Sequence, residues 1–96
     1  MKLQKRNSDI VIVKKDVHQD SSKGAIEQLT DYIDSLNLPA GKSIFNTVVI
    51  HGGTYTVIGT CSAINSWSAF IAFSYVSGNI FHLSRDSSGS WSSNTL

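Results

Sequence analysis

Thr54-Tyr55-Thr56-Val57-Ile58-Gly59-Thr60-Cys61-Ser62-Ala63 is the stretch whose reading decides the fold. Its residues alternate. Thr54, Thr56, Ile58, Thr60 and Ser62 fall on one face of a strand, and Tyr55, Val57, Gly59, Cys61 and Ala63 on the other. The second face is the more apolar, as expected of a strand packed on a core. Working outward, the segment 43–96 carries only two formal charges, the adjacent Arg85 and Asp86. The first 42 residues hold the other thirteen. The chain therefore divides into a charged leader and a neutral segment rich in Ser, Thr, Gly, β-branched and aromatic residues, the composition of strands and tight turns.

Strands on both sides of this stretch complete a meander. Ile44 to His51 precedes it across Gly52-Gly53, where glycine supplies the positive φ of a hairpin turn. A turn around Ile64-Asn65-Ser66 leads through Trp67 to a strand from Ala69 to Val76. There Ala69, Ile71, Phe73 and Tyr75 share one side, with Phe70, Ala72, Ser74 and Val76 on the other. Both sides are apolar enough to be covered. Ser77-Gly78-Asn79 turns into Ile80 to Arg85, and Asp86 to Ser90 turns into a short last strand that begins at Trp91. A sheet of this size has too few elements to cover both faces. One helix can cover one face, and copies of the same sheet can cover the other.

The helix is predicted over Lys23 to Asn37. Asp20-Ser21-Ser22 offers capping groups, Glu27 suits the positive end of the dipole, and Pro39 ends the helix. Its apolar positions Ile26, Leu29, Ile33 and Leu36 are spaced 3-4-3, an a-d-a-d pattern. Two roles fit that seam: an amphipathic helix lying on its own sheet, or a short trimerising neck. Before it, Asp9 to Lys14 encloses Ile10, Val11, Ile12 and Val13, a strand covered on both faces or one added to another protein's sheet.

Composition excludes several functions. A net charge of +1 gives no general attraction to nucleic acid or acidic membranes. The longest apolar run, Ala69 to Phe73, is far too short for membrane insertion. Met1 to Arg6 lacks the apolar core of a secretory signal. Cys61 is the only cysteine, which rules out a disulfide within the chain and a cysteine-based zinc site. Its position on the apolar strand face predicts a buried thiol. His18, His51 and His82 have no metal-ligand spacing, so no metal or cofactor is expected. Ala40-Gly41-Lys42-Ser43 resembles the end of a phosphate-binding loop, but Leu36 stands where that motif needs glycine. No strained G-x-S-x-G turn is present, and Asp86 is the only carboxylate of 43–96, so no catalytic role is expected. Trp67 and Trp91, next to turns and flanked by serines, are the candidate ligand-binding residues. A flat ring with small hydroxyl neighbours is what neutral sugars use, and the same rings serve equally in cores and contacts.

Residues 52–91 read Gly-Gly-Thr-Tyr-Thr-Val-Ile-Gly-Thr, then Trp-Ser-Ala-Phe-Ile-Ala-Phe-Ser-Tyr-Val-Ser-Gly-Asn-Ile-Phe-His-Leu, then Ser-Gly-Ser-Trp. This texture resembles the distal end of bacteriophage fibre and receptor-binding proteins. The resemblance implies a homotrimer within a virion. Its N-terminal segment would dock to a capsid or tail protein, a short neck would follow, and a β tip would meet a host-surface glycan. The short region before the tip fits a small head fibre better than a tail fibre, unless the chain is a fragment. The expected architecture is thus mainly β with one short helix (α+β). It assigns residues 1–22 to attachment through Ile10, Val11, Ile12 and Val13. Residues 23–38 form the helical neck, and 43–96 the antiparallel β tip. A carbohydrate-binding module of a bacterial protein is the alternative.

Overall fold

The computed structural model of the chain describes residues 14–96. Its architecture is mainly β with one short helix: a six-stranded sheet in sequential order β1-β2-β3-β4-β5-β6. The strands are β1 (Lys14–Val17), β2 (Ser43–Ile50), β3 (Gly53–Cys61), β4 (Ser68–Ser74), β5 (Ile80–Arg85) and β6 (Trp91–Thr95). Helix α1 (Ala25–Ser35) connects β1 to β2. From β2 to β6 every neighbouring pair is antiparallel, as the meander reading expects. The exception is β1, which pairs parallel to β2 with Lys14 opposite Asn46 and Val17 opposite Val49. A parallel neighbour needs a long crossover, and the helical connection supplies it. The strand expected over Asp9 to Lys14 otherwise lies outside the described residues, as do Ile10, Val11, Ile12 and Val13.

Faces follow the alternation. Tyr55, Val57 and Cys61 of β3 are buried with Val48 and Ile50 of β2, Phe70 and Ala72 of β4, and Phe81 and Leu83 of β5. Leu29, Tyr32, Ile33 and Leu38 close over them in the same core cluster. The helix therefore lies on its own sheet. Leu29 and Ile33 of the 3-4-3 seam are fully buried there, while Ile26 and Leu36 are partly buried against the core.

The helix ends differ from expectation in an informative way. The N-cap is Gly24, in extended conformation and without a side-chain cap. Asp20 instead closes a turn of its own, its carboxylate accepting from the Ser22 backbone N–H and hydroxyl. Those bonds hold the carboxyl of Asp20 below the usual carboxylate range. At the other end Asn37 adopts a φ of 45°, a left-handed conformation that stops the helix two residues before Pro39. The first hairpin also turns one residue earlier than predicted. Ile50 pairs with Gly53, so His51 and Gly52 form the turn, with Gly52 at φ 99°.

Gly59 is required by packing. A Cβ there would stand 2.2 Å from the Ala69 carbonyl oxygen and 2.4 Å from the Phe70 ring. The fully buried Phe70 ring occupies the volume that any side chain at position 59 would need. Replacing Gly59 with Ala should therefore cost about 3 kcal/mol, because the obstruction includes backbone that cannot move aside. Chemical denaturation measures it, and a loss below about 0.5 kcal/mol would contradict this account of the β3–β4 contact.

Candidate functional site

Three polar side chains pin α1 to the sheet, one near each end and one between. Near the N-terminus Gln28, only 1 % exposed, uses its whole amide. Its Oε1 accepts from the backbone N–H groups of Asp20 and His51, and its Nε2 donates to the carbonyls of Lys23 and His51. This joins the segment before the helix to the β2–β3 turn. Mid-helix, the Tyr32 hydroxyl donates to Asp16 at 2.6 Å and accepts from Asn46 at 3.0 Å, which ties α1 to β1 and β2. Burial, with the Asp16 carboxylate second, pushes the Tyr32 phenol up to about 12.

The third pin is the most demanding. Arg85 of β5 has a fully buried side chain. One Nη donates to Asp34 of the helix at 2.9 Å and to Asn65 at 3.1 Å, and Nε donates to Ser68 at 3.0 Å. The guanidinium carbon lies 4.6 Å from the Trp91 ring centroid and 5.9 Å from that of Phe70. Such stacking suits the weakly hydrated, planar guanidinium. Trp91 in turn donates its indole N–H to Asp34. The other Nη is buried without a hydrogen-bond partner among the described residues.

These contacts decide where the sequence candidates sit. Trp91 is half-buried, with its indole N–H on Asp34 and its face over Arg85, inside the helix–sheet junction. Trp67 lies in the β3–β4 connection and is 57 % exposed. Cys61 is buried, as its strand face predicts, and its thiol donates to the Leu38 and Pro39 carbonyls. Asp86 is occupied by its own turn. Its carboxylate accepts from the Ser88 hydroxyl, which lowers its pKa most, and from the backbone N–H groups of Ser90 and Ser88. No histidine is among its partners.

The opposite face of the sheet carries no helix. There Phe45, Ile58, Ile71 and His82 stand directly opposite one another across β2 to β5, and Thr47, Thr56, Phe73 and Ile80 form the next row. Phe45, Ile58, Phe73 and Tyr75 are all exposed. Tyr75 reaches back over this face, its hydroxyl hydrogen-bonded to both Thr47 and Thr56. The alternation of the sequence assigns Thr56, Ile58, Phe73 and Tyr75 to their faces. It misses Gln28 and Asp34, which their spacing places off the apolar seam, and Arg85, which reads only as the end of a strand.

Among the described residues no group of three or more His, Cys, Asp or Glu side chains is placed to hold a metal ion. No helix among them is long and apolar enough to cross a membrane. Neither protein-family models, nor curated proteins, nor solved structures show a match to this chain.

Two measurements test the pins. Asp34→Ala should cost roughly 2–3 kcal/mol by stranding the Arg85 charge, discounted from a fully buried pair because Asp34 is half-exposed. Adding Arg85→Met to Asp34→Ala should recover part of that loss, and a strictly additive further loss would contradict the lock. Tyr32 predicts an alkaline effect. Its folded pKa is raised, so its contribution is complete below pH 10 and is lost as pH rises toward about 12. Tyr32→Phe should flatten that limb in denaturation curves taken between about pH 9 and 11.5. An unchanged limb would show that another group causes it.

Proposed function

We propose that the chain is a non-enzymatic structural protein of a virion, a short homotrimeric fibre whose β tip faces the host surface. The observation that carries this reading is the helix-free sheet face: apolar, without a formal charge on β2–β6, and left open by the chain's own elements. Exposed apolar faces of this kind mark assembly surfaces more often than solvent-facing ones. The order of charged leader, helix and neutral sheet supports the same plan, as does the fibre-like texture of residues 52–91. Residues 1–22 then dock to a capsid or tail protein, with Ile10, Val11, Ile12 and Val13 as the added strand. Ile26, Leu29, Ile33 and Leu36 hold each copy's helix to its sheet.

A second reading, a free carbohydrate-binding module, is favoured by one observation, the exposed Trp67 between Ser66 and Ser68. The two are separated by labelling the parent particle. Electron microscopy with an antibody to this chain should decorate projections on virions, and label confined to the bacterial cell would overturn the fibre. On a glycan array, Trp67→Ala should abolish any binding. Trp91→Ala should act instead through stability, because that ring belongs to the helix–sheet junction. Binding lost only with Trp91→Ala would reverse that assignment.

A further inference from the structure

Resting on the multimeric reading above, we infer that copies of this chain pack against one another through the helix-free face of β2–β5, centred on Phe45, Ile58, Ile71 and Phe73. Four features of the face lead to a second copy as its occupant. The first is its chemistry. Ser43, Phe45, Thr47, Val49, Thr54, Thr56, Ile58, Thr60, Ala69, Ile71, Phe73, Tyr75, Ile80, His82 and Ser84 share its alternation, and none carries a formal charge. Lys15, opposite Thr47 at the β1 edge, is the nearest charge on that side of the sheet. Two such faces brought together bury no like-charge pair at their centre.

The second feature is that three of its threonines already have partners. Thr47 and Thr56 both bond to the Tyr75 hydroxyl, and the Thr60 hydroxyl donates to the Lys42 carbonyl at 2.7 Å. A threonine whose hydroxyl is bonded within its own chain loses little when water leaves, whereas an unpaired one is costly to bury. These side chains are set up for a dry contact. The lack of cationic residues at its centre disfavours nucleic acid.

Area is the third. Strands about 4.8 Å apart and about seven residues long at ~3.3 Å each give the face of β2–β5 a footprint of roughly 450 Å². Two copies would then bury roughly 900 Å² in total, the size of a weak contact between copies. Self-complementarity is the fourth. Aligned sheets pack about 10 Å apart by interdigitating side chains of their inner faces. Bulky Phe45, Ile58 and Ile71 form one ridge across the strands, flanked by the row of small residues Ser43, Thr60, Ala69 and Ser84.

The test uses the full chain and two kinds of variant. Light scattering coupled to size exclusion should return three times 10.4 kDa for the wild type, the mass of the homotrimer. Ile58→Lys and Phe73→Lys should lower it to 10.4 kDa with the strand signal of circular dichroism retained. A photo-crosslinking residue at position 58 covers the case in which a lysine variant unfolds. It should form interchain adducts, while the same residue at Glu27, on the helix side, should form none. A multimeric wild type whose mass survives both lysines and whose position 58 gives no adducts overturns this interface and leaves the multimeric reading standing. A wild type that stays at 10.4 kDa up to about 100 μM, where even a weak specific contact would show, overturns both.

Discussion

A single buried guanidinium holds the helix end of this molecule to its sheet. Arg85 is the only cation of the segment 43–96, and it is placed in the interior rather than on the surface. An unpaired charge there would cost several kcal/mol, a large share of a small domain's stability. The surroundings are therefore fixed by its needs. Asp34 must face it from the helix, Asn65 and Ser68 must supply oxygen acceptors from the β3–β4 side, and Trp91 must lie flat over it from β6. One ion pair thus sets the position of α1 along the sheet and brings in the last strand. Gln28 and Tyr32 fix the remaining freedom of the helix, so that its eleven residues are committed to one face.

That commitment creates the problem the rest of the molecule poses. A six-stranded sheet has two faces, and the described residues provide one helix. The covered face contains Phe70, Val57 and Leu83 at full burial. The uncovered one presents Phe45, Ile58, Phe73 and Tyr75, in strands whose formal charges have been removed except at Arg85. A solvated antiparallel sheet would normally alternate apolar-in and polar-out. Here the outward positions are threonine, aliphatic and aromatic, and Thr47, Thr56 and Thr60 have their hydroxyls bonded within the chain. The physical reading is a surface prepared to lose its water, and the functional proposal of a multimeric structural protein follows from it.

Much of this was legible in the residues. The alternation in Thr54 to Ala63 assigned Tyr55, Val57 and Cys61 to the core side correctly, and the turns at Gly52 and Gly89 fell within a residue of their observed places. The strand expected over Ala69 to Val76 ends at Ser74, because Tyr75 to Asn79 form the connection to β5. What periodicity could not reach were contacts between residues distant in sequence. Arg85 reads as the charged end of a strand, and Asp34, fifty-one positions away, makes its burial tolerable. Gln28 looked like a solvated helix residue because its four partners lie in two loops that the fold brings together. The parallel pairing of β1 escaped for a related reason. Lys14, Lys15 and Asp16 have the composition of a surface segment, and edge strands are permitted to look that way. Trp91 illustrates the limit for the site: its flanking serines suggested exposure, but a carboxylate on the helix claims its N–H.

The central claim, that one sheet face is covered by the chain's own helix and the other by further copies, can be read directly by hydroxyl-radical footprinting of the assembled protein. The account predicts that Phe45 and Phe73 are protected nearly as well as the buried Phe70, while Trp67 is oxidised freely. Oxidation of Phe45 and Phe73 at rates matching their exposure in a single chain would contradict it.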